Sequence, residues 1–443
     1  MKKPIFIITL VLFCACSTAI VEEPQEERRE SPPEVDLTAL LEKAERDKAI
    51  ADMVLFAHLN RTILSRGTDF ALRTFKQVSG EYAQDNLFLS PFSLACALGM
   101  LYNGAENETK EEIAAVMGMQ DNTPEEINKY YQTLSRGLMS IDDSPIITTK
   151  GPPKAELGIA NAIWSDVLYP VRKSFADLTK LYYDAEAQSM DFSQPSALKA
   201  INDWCNEKTK GTIPKILDAL YPPMVIANAV YYKSSWSVPF EKSKTEEKPF
   251  YNQDGTTSIV QMMHQKELLL NYAHTTGYEF VRVPYGNGHF AMILVLPKEG
   301  TDIEEVIEEI DNATWNTLTR DMTGNTVLVT LSMPRFNLRG EIPLNNVLKA
   351  MGMPRAFSSE EAQFLAMLEV HSWVGRVLQK SYIDVNEEGT EASAVTVIQM
   401  VMSTGLPLPP PQKATVVVDR PFLFAITEQS TGVILFMGKV LGL

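Results

Sequence analysis

From Asn386 the chain runs through an acidic pivot marked by one glycine, Asn386-Glu387-Glu388-Gly389, into the small residues Thr390-Glu391-Ala392-Ser393-Ala394-Val395-Thr396. A strand-forming run follows, Val397-Ile398-Gln399-Met400-Val401-Met402, and ends abruptly at Gly405-Leu406-Pro407-Leu408-Pro409-Pro410-Pro411. No proline lies between Glu387 and Gly405, so every position there can donate to a β-ladder. Gly389 frees the backbone at the pivot. Alternate strand residues face opposite sides. One set, Thr390, Ala392, Ala394, Thr396, Ile398, Met400 and Met402, is uncharged, small at its leading end and larger after it. The other, Glu391, Ser393, Val395, Val397, Gln399, Val401 and Ser403, holds the only charge and most of the polar groups. One buried and one more exposed face are expected. Fourteen residues at about 3.3 Å each give a strand of about 46 Å. An exposed β-prone edge is an aggregation hazard, so the composition suits a strand that has not yet found its sheet.

The rest of the chain can supply that sheet. It has 443 residues, 45% hydrophobic and 22% charged, enough for a large core. No long Pro/Gly linker divides the body, which favours one large domain. The net charge of −16 argues against nucleic acid as a partner, because phosphate tracking needs clustered Lys and Arg.

Residues 1–15 read as a leader. Lys2 and Lys3 precede the apolar run Ile5 to Phe13, too short for a stable span, and the small residue Ala15 precedes Cys16. This resembles a bacterial lipoprotein signal, with lipid on Cys16 and a membrane anchor at the outer membrane or cell surface. A plain secretory signal is the alternative, and both place the protein outside the cytoplasm. Residues 16–36 form an acidic, proline-containing tether without the apolar area to fold. Residues 37–61 read as a helical extension, and 62–443 as the main domain. Cys96 sits in the apolar pattern Leu94 to Leu98 and reads as core filler. A Cys96–Cys205 disulfide stays open as an alternative.

Helical patterns are expected at 69–78, 91–102, 107–117 (capped by Asn107), from the capping box at Thr123, and at 173–183, 196–208, 303–318 and 344–351. Strands are expected at 157–164, 224–232, 279–284, 289–296, 327–333, 377–385, 422–427 and 433–440. Helices first, then interleaved strands, indicate an α+β domain. A search for chemistry returns no nucleophile elbow, no zinc-protease motif and no phosphate loop. The five histidines include no pair at helical ligand spacing. No catalytic residue, metal site or cofactor follows from the sequence.

Several ordered segments resemble the serpin family: Asn86-Leu87-Phe88-Leu89-Ser90-Pro91-Phe92-Ser93, Ile201-Asn202-Asp203-Trp204, Gly211-Thr212-Ile213, Asn228-Ala229-Val230-Tyr231-Tyr232-Lys233 with Trp236 and Pro239-Phe240, the hinge at 386–396, Arg420-Pro421-Phe422-Leu423-Phe424, and Phe436-Met437-Gly438-Lys439-Val440. The resemblance implies a serpin fold of three β-sheets and about nine helices, with an exposed reactive loop at about 387–413. It implies a monomeric suicide-substrate inhibitor whose partners are serine proteases. A protease acylates itself on the loop, and the cut loop enters the main sheet as a new central strand. The alternative is a non-inhibitory, binding or chaperone-like serpin; small hinge residues (Ala392, Ser393, Ala394) favour inhibition.

Carried over by position, the cleaved bond follows Ser403 and precedes Thr404, with Met402 and Val401 as neighbouring choices. Those residues suit elastase-like or chymotrypsin-like enzymes and offer no Lys or Arg to a trypsin-like one. Glu387, Glu388, Gly389, Thr390, Glu391, Ala392, Ser393 and Ala394 form the hinge. Glu387, Arg335 and Trp236 are expected to meet at the breach where the loop enters the sheet. Ser90, Ser93 and Asn228 are expected in the shutter beneath it, where Gln379 replaces the family's usual histidine.

Overall fold

A computed structural model describes Phe56 and residues 59–141, 156–390 and 412–443. The expectations for the leader, Cys16, the tether and most of the 37–61 extension lie outside the described residues. So do those for Glu391, Ala392, Ser393, Ala394, Val401, Met402, Ser403 and Thr404.

Helix α1 (Arg61–Glu81) begins where the Asn60 side chain accepts a hydrogen bond from Thr62 N at 2.9 Å, and buries Ile63, Leu64, Phe70, Leu72, Phe75 and Val78. It is longer than the expected 69–78, because Phe56 and Leu59 ahead of it are also packed. Strand β1 (Leu87–Leu89) leads into α2 (Pro91–Gly104), capped by Ser90 with proline in its first turn and buried almost all round. A helix apolar on every side belongs in the middle of a core. Then come α3 (Asn107–Met117) and α4 (Pro124–Ser140). The Thr123–Glu126 capping box forms as read from the sequence, but Asn107 is not a cap: Glu106 holds that position and Asn107 lies inside the helix at φ 44°.

After the residues outside the description come β2 (Glu156–Asp166), α5 (Lys173–Tyr183), β3 (Glu186–Met190), α6 (Pro195–Lys208), β4 (Met224–Ser235), β5 (Glu246–Tyr251), β6 (Thr257–His274), β7 (Tyr278–Pro284) and β8 (Phe290–Pro297). The single helix expected over 303–318 is two, α7 (Ile303–Glu309) and α8 (Asn312–Thr323). The break is local chemistry: Asp311 caps α8 by accepting from Thr314 N at 2.7 Å. The chain continues with β9 (Thr326–Pro334), β10 (Phe336–Pro343), α9 (Asn345–Met351), β11 (Arg376–Asn386), β12 (Gly389–Thr390), β13 (Lys413–Val417), β14 (Phe422–Glu428) and β15 (Ile434–Val440).

Six strands make one sheet in the order β10-β11-β12-β4-β2-β3. The other nine form a network in the order β1-β15-β14-β8-β7-β6-β9-β13, with β5 also on β6. The three sheets expected arise because β6 serves two of them. Its last residues, Asn271 to His274, pair with β7 in the layer facing the six-stranded sheet; its earlier part pairs with β5 and β9. The register slips between Gln265 and Leu268, where Glu267 takes a φ of 54°, so the strand bends as it changes partners. The main core fills the space between the layers and around α2. A second, smaller core lies on the outer face of the six-stranded sheet, where Trp204 and Cys205 of α6 cover Ala160, Ala162, Trp164, Ala227 and Ala229.

Candidate functional site

The six-stranded sheet carries the feature that the hinge sequence anticipates. Strands β11 and β4 run parallel and directly paired from Arg376/Val225 to Tyr382/Tyr231. Beyond that point they part, and β12 enters antiparallel to both. Gly389 pairs with Asn386 and Ser235, and Thr390 with Val385 and Ser234. The glycine is required twice over. Its φ is +150°, and a Cβ there would lie 2.1 Å from the Ser234 carbonyl oxygen and 2.6 Å from Ser235 Cα. Thr390 is fully buried, on the face assigned to the buried set of loop residues.

Just ahead of β12, Glu387 is buried with its carboxylate satisfied. Arg335 donates to Glu387 Oε1 from Nε at 2.8 Å and from its second terminal nitrogen, and Thr245 Oγ1 donates to the same oxygen at 2.5 Å. Burial pushes the carboxyl upward, but the bonds from Arg335, Thr245 and the Glu387 backbone outweigh it and hold the group below its ordinary value. Lys242 pairs with Glu388 at 2.6 Å. Trp236, fully buried, donates from Nε1 to the Asn386 carbonyl at 2.9 Å and from its backbone N to the Glu388 carbonyl at 3.0 Å. Phe240 N donates to the Glu387 carbonyl at 2.8 Å. Glu387, Arg335 and Trp236 thus gather at the mouth of the opening. A cavity of about 460 Å³ opens beside them, lined by Lys242, Arg335, Asn337, Asp384 and Asn386 among others.

Below the opening, a line of side chains ties the strands together at one register. Asn228 of β4 stands opposite Gln379 of β11 and Asn161 of β2. Gln379 Nε2 donates to Asn228 Oδ1 at 2.5 Å and to the Ser90 carbonyl at 2.9 Å, and Gln379 Oε1 accepts from Ser90 N at 2.7 Å. Asn228 Nδ2 donates to Ser93 Oγ and to Asn161 Oδ1, each at 2.5 Å. Ser90 Oγ donates to the Leu435 carbonyl at 2.6 Å. The four expected shutter residues therefore form one buried network, joining three strands of the sheet to the N-terminus of α2. Glutamine both donates and accepts there, as the reading of position 379 required.

Sequence reasoning did not find Thr245, Lys242, Tyr285, Asn161 or Ser381. Asn161 carried a signal, a lone amide inside the apolar strand run Leu157 to Trp164. Ser381, which donates to the Phe88 carbonyl at 2.6 Å, continues the buried face of Gln379. Thr245 and Lys242 sit on a polar turn that nothing local distinguishes. Cys96 and Cys205 are each free and buried, so the disulfide alternative is not realised; burial pushes both thiols up to about 12. His264 bonds Ser332 Oγ at 2.7 Å, a core-edge contact.

Residues 65–443 match the sequence profile of the serpin (serine protease inhibitor) family. This chain belongs to the serpin family. The human leukocyte elastase inhibitor is 30% identical over 387 residues, 85% of this chain and 98% of that protein. The native-state crystal structure of tengpin, a thermophilic serpin, superposes with a TM-score of 0.74 at 30% identity, covering 87% of this chain and 95% of tengpin. Human thyroxine-binding globulin in complex with thyroxine superposes with a TM-score of 0.75 at 30% identity, covering 86% and 98%. The last of these is a complex with thyroxine, so the serpin fold alone does not fix what a member does. The hinge and the sheet opening have to.

Proposed function

We propose that this serpin is a suicide-substrate inhibitor of serine proteases with elastase-like or chymotrypsin-like pockets. One observation carries the reading: Gly389 and Thr390 already occupy the slot between β11 and β4 in a register that a longer strand could extend. Continuing that register places Ala392 opposite Tyr232 and Thr396 opposite Asn228 and Gln379. On the main-core side it sets only Thr390, Ala392, Ala394, Thr396, Ile398 and Met400. Glu391, the one charged residue, goes to the face covered by α6. The hinge sequence and the slot therefore agree in direction, spacing and polarity.

In this mechanism the protease serine attacks the carbonyl carbon of Ser403, or of Met402 or Val401, forming an ester as the peptide bond to the next residue breaks and that residue's amine leaves. Freed from its downstream anchor at β13, the loop zips between β11 and β4 and carries the esterified protease with it. Each net backbone hydrogen bond contributes about 0.5–1.5 kcal/mol and each buried aliphatic side chain about 1.5–3 kcal/mol. The intact protein is then a kinetic trap that cutting releases. Incubation with an elastase tests this. A covalent complex that survives SDS supports inhibition; clean cleavage with no complex moves the reading to a binding or chaperone-like serpin.

Cys16 lipidation, with an extracytoplasmic position at the bacterial outer membrane or cell surface, is part of the same proposal and rests on the leader sequence. Cys16→Ser is expected to move the protein from the membrane to the soluble fraction. An unchanged membrane share would remove the anchor from the account.

A further inference from the structure

The hinge is held from the opposite layer as well as by its two strand neighbours. Tyr285 lies in the turn between β7 and β8 and is fully buried. Its ring stacks on Trp236 at 4.4 Å with 10° between the planes and meets Tyr232 edge-on at 5.3 Å. The backbone fixes that turn against the six-stranded sheet: Gly286 N donates to the Ser235 carbonyl at 2.8 Å and Ser237 N to the Pro284 carbonyl at 2.9 Å. The Tyr285 hydroxyl then shares a hydrogen bond of 2.8 Å with Thr390 Oγ1, and both side chains are out of contact with water.

This bond is well placed to matter. Among the described residues, Gly389 and Thr390 of β12 each pair with β11 on one side and β4 on the other. We propose that Tyr285 is a positioning residue for strand insertion, its hydroxyl holding Thr390 as the pre-formed first rung from which the cut loop zips. This inference rests on the inhibitor reading and adds to it the group that sets where, and how promptly, insertion starts. Once a full strand is in place, backbone bonds along its length hold Thr390, so the hydroxyl pair governs the intact protein far more than the cut one. The role belongs to the oxygen. A phenylalanine would keep the stack on Trp236 and leave Thr390 Oγ1 buried without its partner.

Tyr285→Phe, Thr390→Val and the double variant isolate the bond, with Thr390→Ser as the conservative control. Hydrogen exchange at the Gly389 and Thr390 amides of the intact protein reads hinge occupancy without any protease. Tyr285→Phe and Thr390→Val are each expected to speed that exchange by about tenfold. The double variant should be no faster than either single one, and Thr390→Ser should match the parent. Against an elastase, both single variants are expected to raise the moles of serpin consumed per mole of protease trapped several-fold. In the cleaved form, exchange at the same two amides should not move, because the full strand then holds them; a merely structural tyrosine would speed it in both forms. Unchanged hinge exchange in a folded Tyr285→Phe or Thr390→Val protein, or additive effects in the double variant, overturns the assignment. Should Tyr285→Phe fail to fold, Thr390→Val tests the bond from its other end. If the parent traps no protease, the inhibitor reading fails, and hinge exchange still decides whether Tyr285 holds Thr390.

Discussion

Replacing Gln379 by leucine removes a buried side-chain link between the paired strands β11 and β4 while nearly preserving side-chain volume. Gln379 is buried and makes three hydrogen bonds, to Ser90 N, to the Ser90 carbonyl and to Asn228 Oδ1. The Ser90 carbonyl keeps a second partner, Leu94 N at 3.2 Å. Ser90 N and Asn228 Oδ1 lose the bonds that satisfied them. A buried polar group left unsatisfied costs about 1–3 kcal/mol, so the intact protein should lose about 2–6 kcal/mol. Unfolding entropy of about 2.1 cal/mol/K per residue, over the domain at 65–443, is about 0.8 kcal/mol/K. The melting temperature, followed by circular dichroism, should therefore fall by about 2–7 °C. The cleaved protein should fall by less, because an inserted strand separates Gln379 from Asn228 and ends that bond in the parent too. A drop equal in both forms, or a drop of under about 1 °C in the intact one, would show that this network does not hold the sheet shut.

Gly389→Ala should push β12 out of its slot, since the new Cβ meets the Ser234 carbonyl, and should turn the protein towards substrate behaviour; an unchanged ratio of complex to cleaved product refutes this. Glu387→Gln gives a pH test. The native carboxyl lies below its ordinary value, so its stabilisation is complete above the unfolded carboxylate pKa of about 4.3 and is lost as pH falls through the native value. The melting-temperature gap between parent and variant should be steady above about pH 5.5 and close in acid; a gap that widens in acid contradicts the assigned charge state. Glu304→Gln removes the counter-charge from Lys439, whose ammonium is fully buried at 2.8 Å from the carboxylate. Breaking a buried pair costs about 3–5 kcal/mol. The carboxylate side is 38% exposed, so about 1–3 kcal/mol is expected, read as a melting-temperature loss of about 1–3 °C.

The sequence disclosed most where local chemistry decides. The Thr123 capping box, the Ser90-Pro91 start of α2, and α5 between Lys173 and Tyr183 lie where they were read. So do the apolar strands β4, β8 and β14, within a few residues at each end. Ser90, Ser93, Asn228, Trp236 and Glu387 lie in the ordered motifs, whereas Arg335 and Gln379 were reached only by carrying over family positions; the fold brings each group into hydrogen-bonding contact. What stayed hidden depends on tertiary partners. Strand β6 runs 18 residues with Lys266, Glu267 and two histidines, because part of it faces outward and it bends to serve two layers. Strands β3, β5 and β13 at the sheet margins are short and largely polar or half-exposed, with no period strong enough to mark them. Asp311 read as one more polar residue in a helical pattern until its side chain was seen to cap a new helix. Tyr285 could not be singled out, since its importance lies in a hydroxyl reaching a hinge residue 105 positions away.

The central claim is that the backbone after Gly389 is more stable inside the sheet than outside it and is kept out only by being uncut. The direct measurement is the melting temperature of the protein before and after a single protease cut between Val401 and Thr404. Roughly ten residues entering between β11 and β4, at about 1 kcal/mol of net hydrogen bonding each, should raise it by about 10 °C or more. Cut protein that melts within a degree of the intact form, with the Arg376–Tyr382 and Val225–Tyr231 segments still paired directly, would contradict the account.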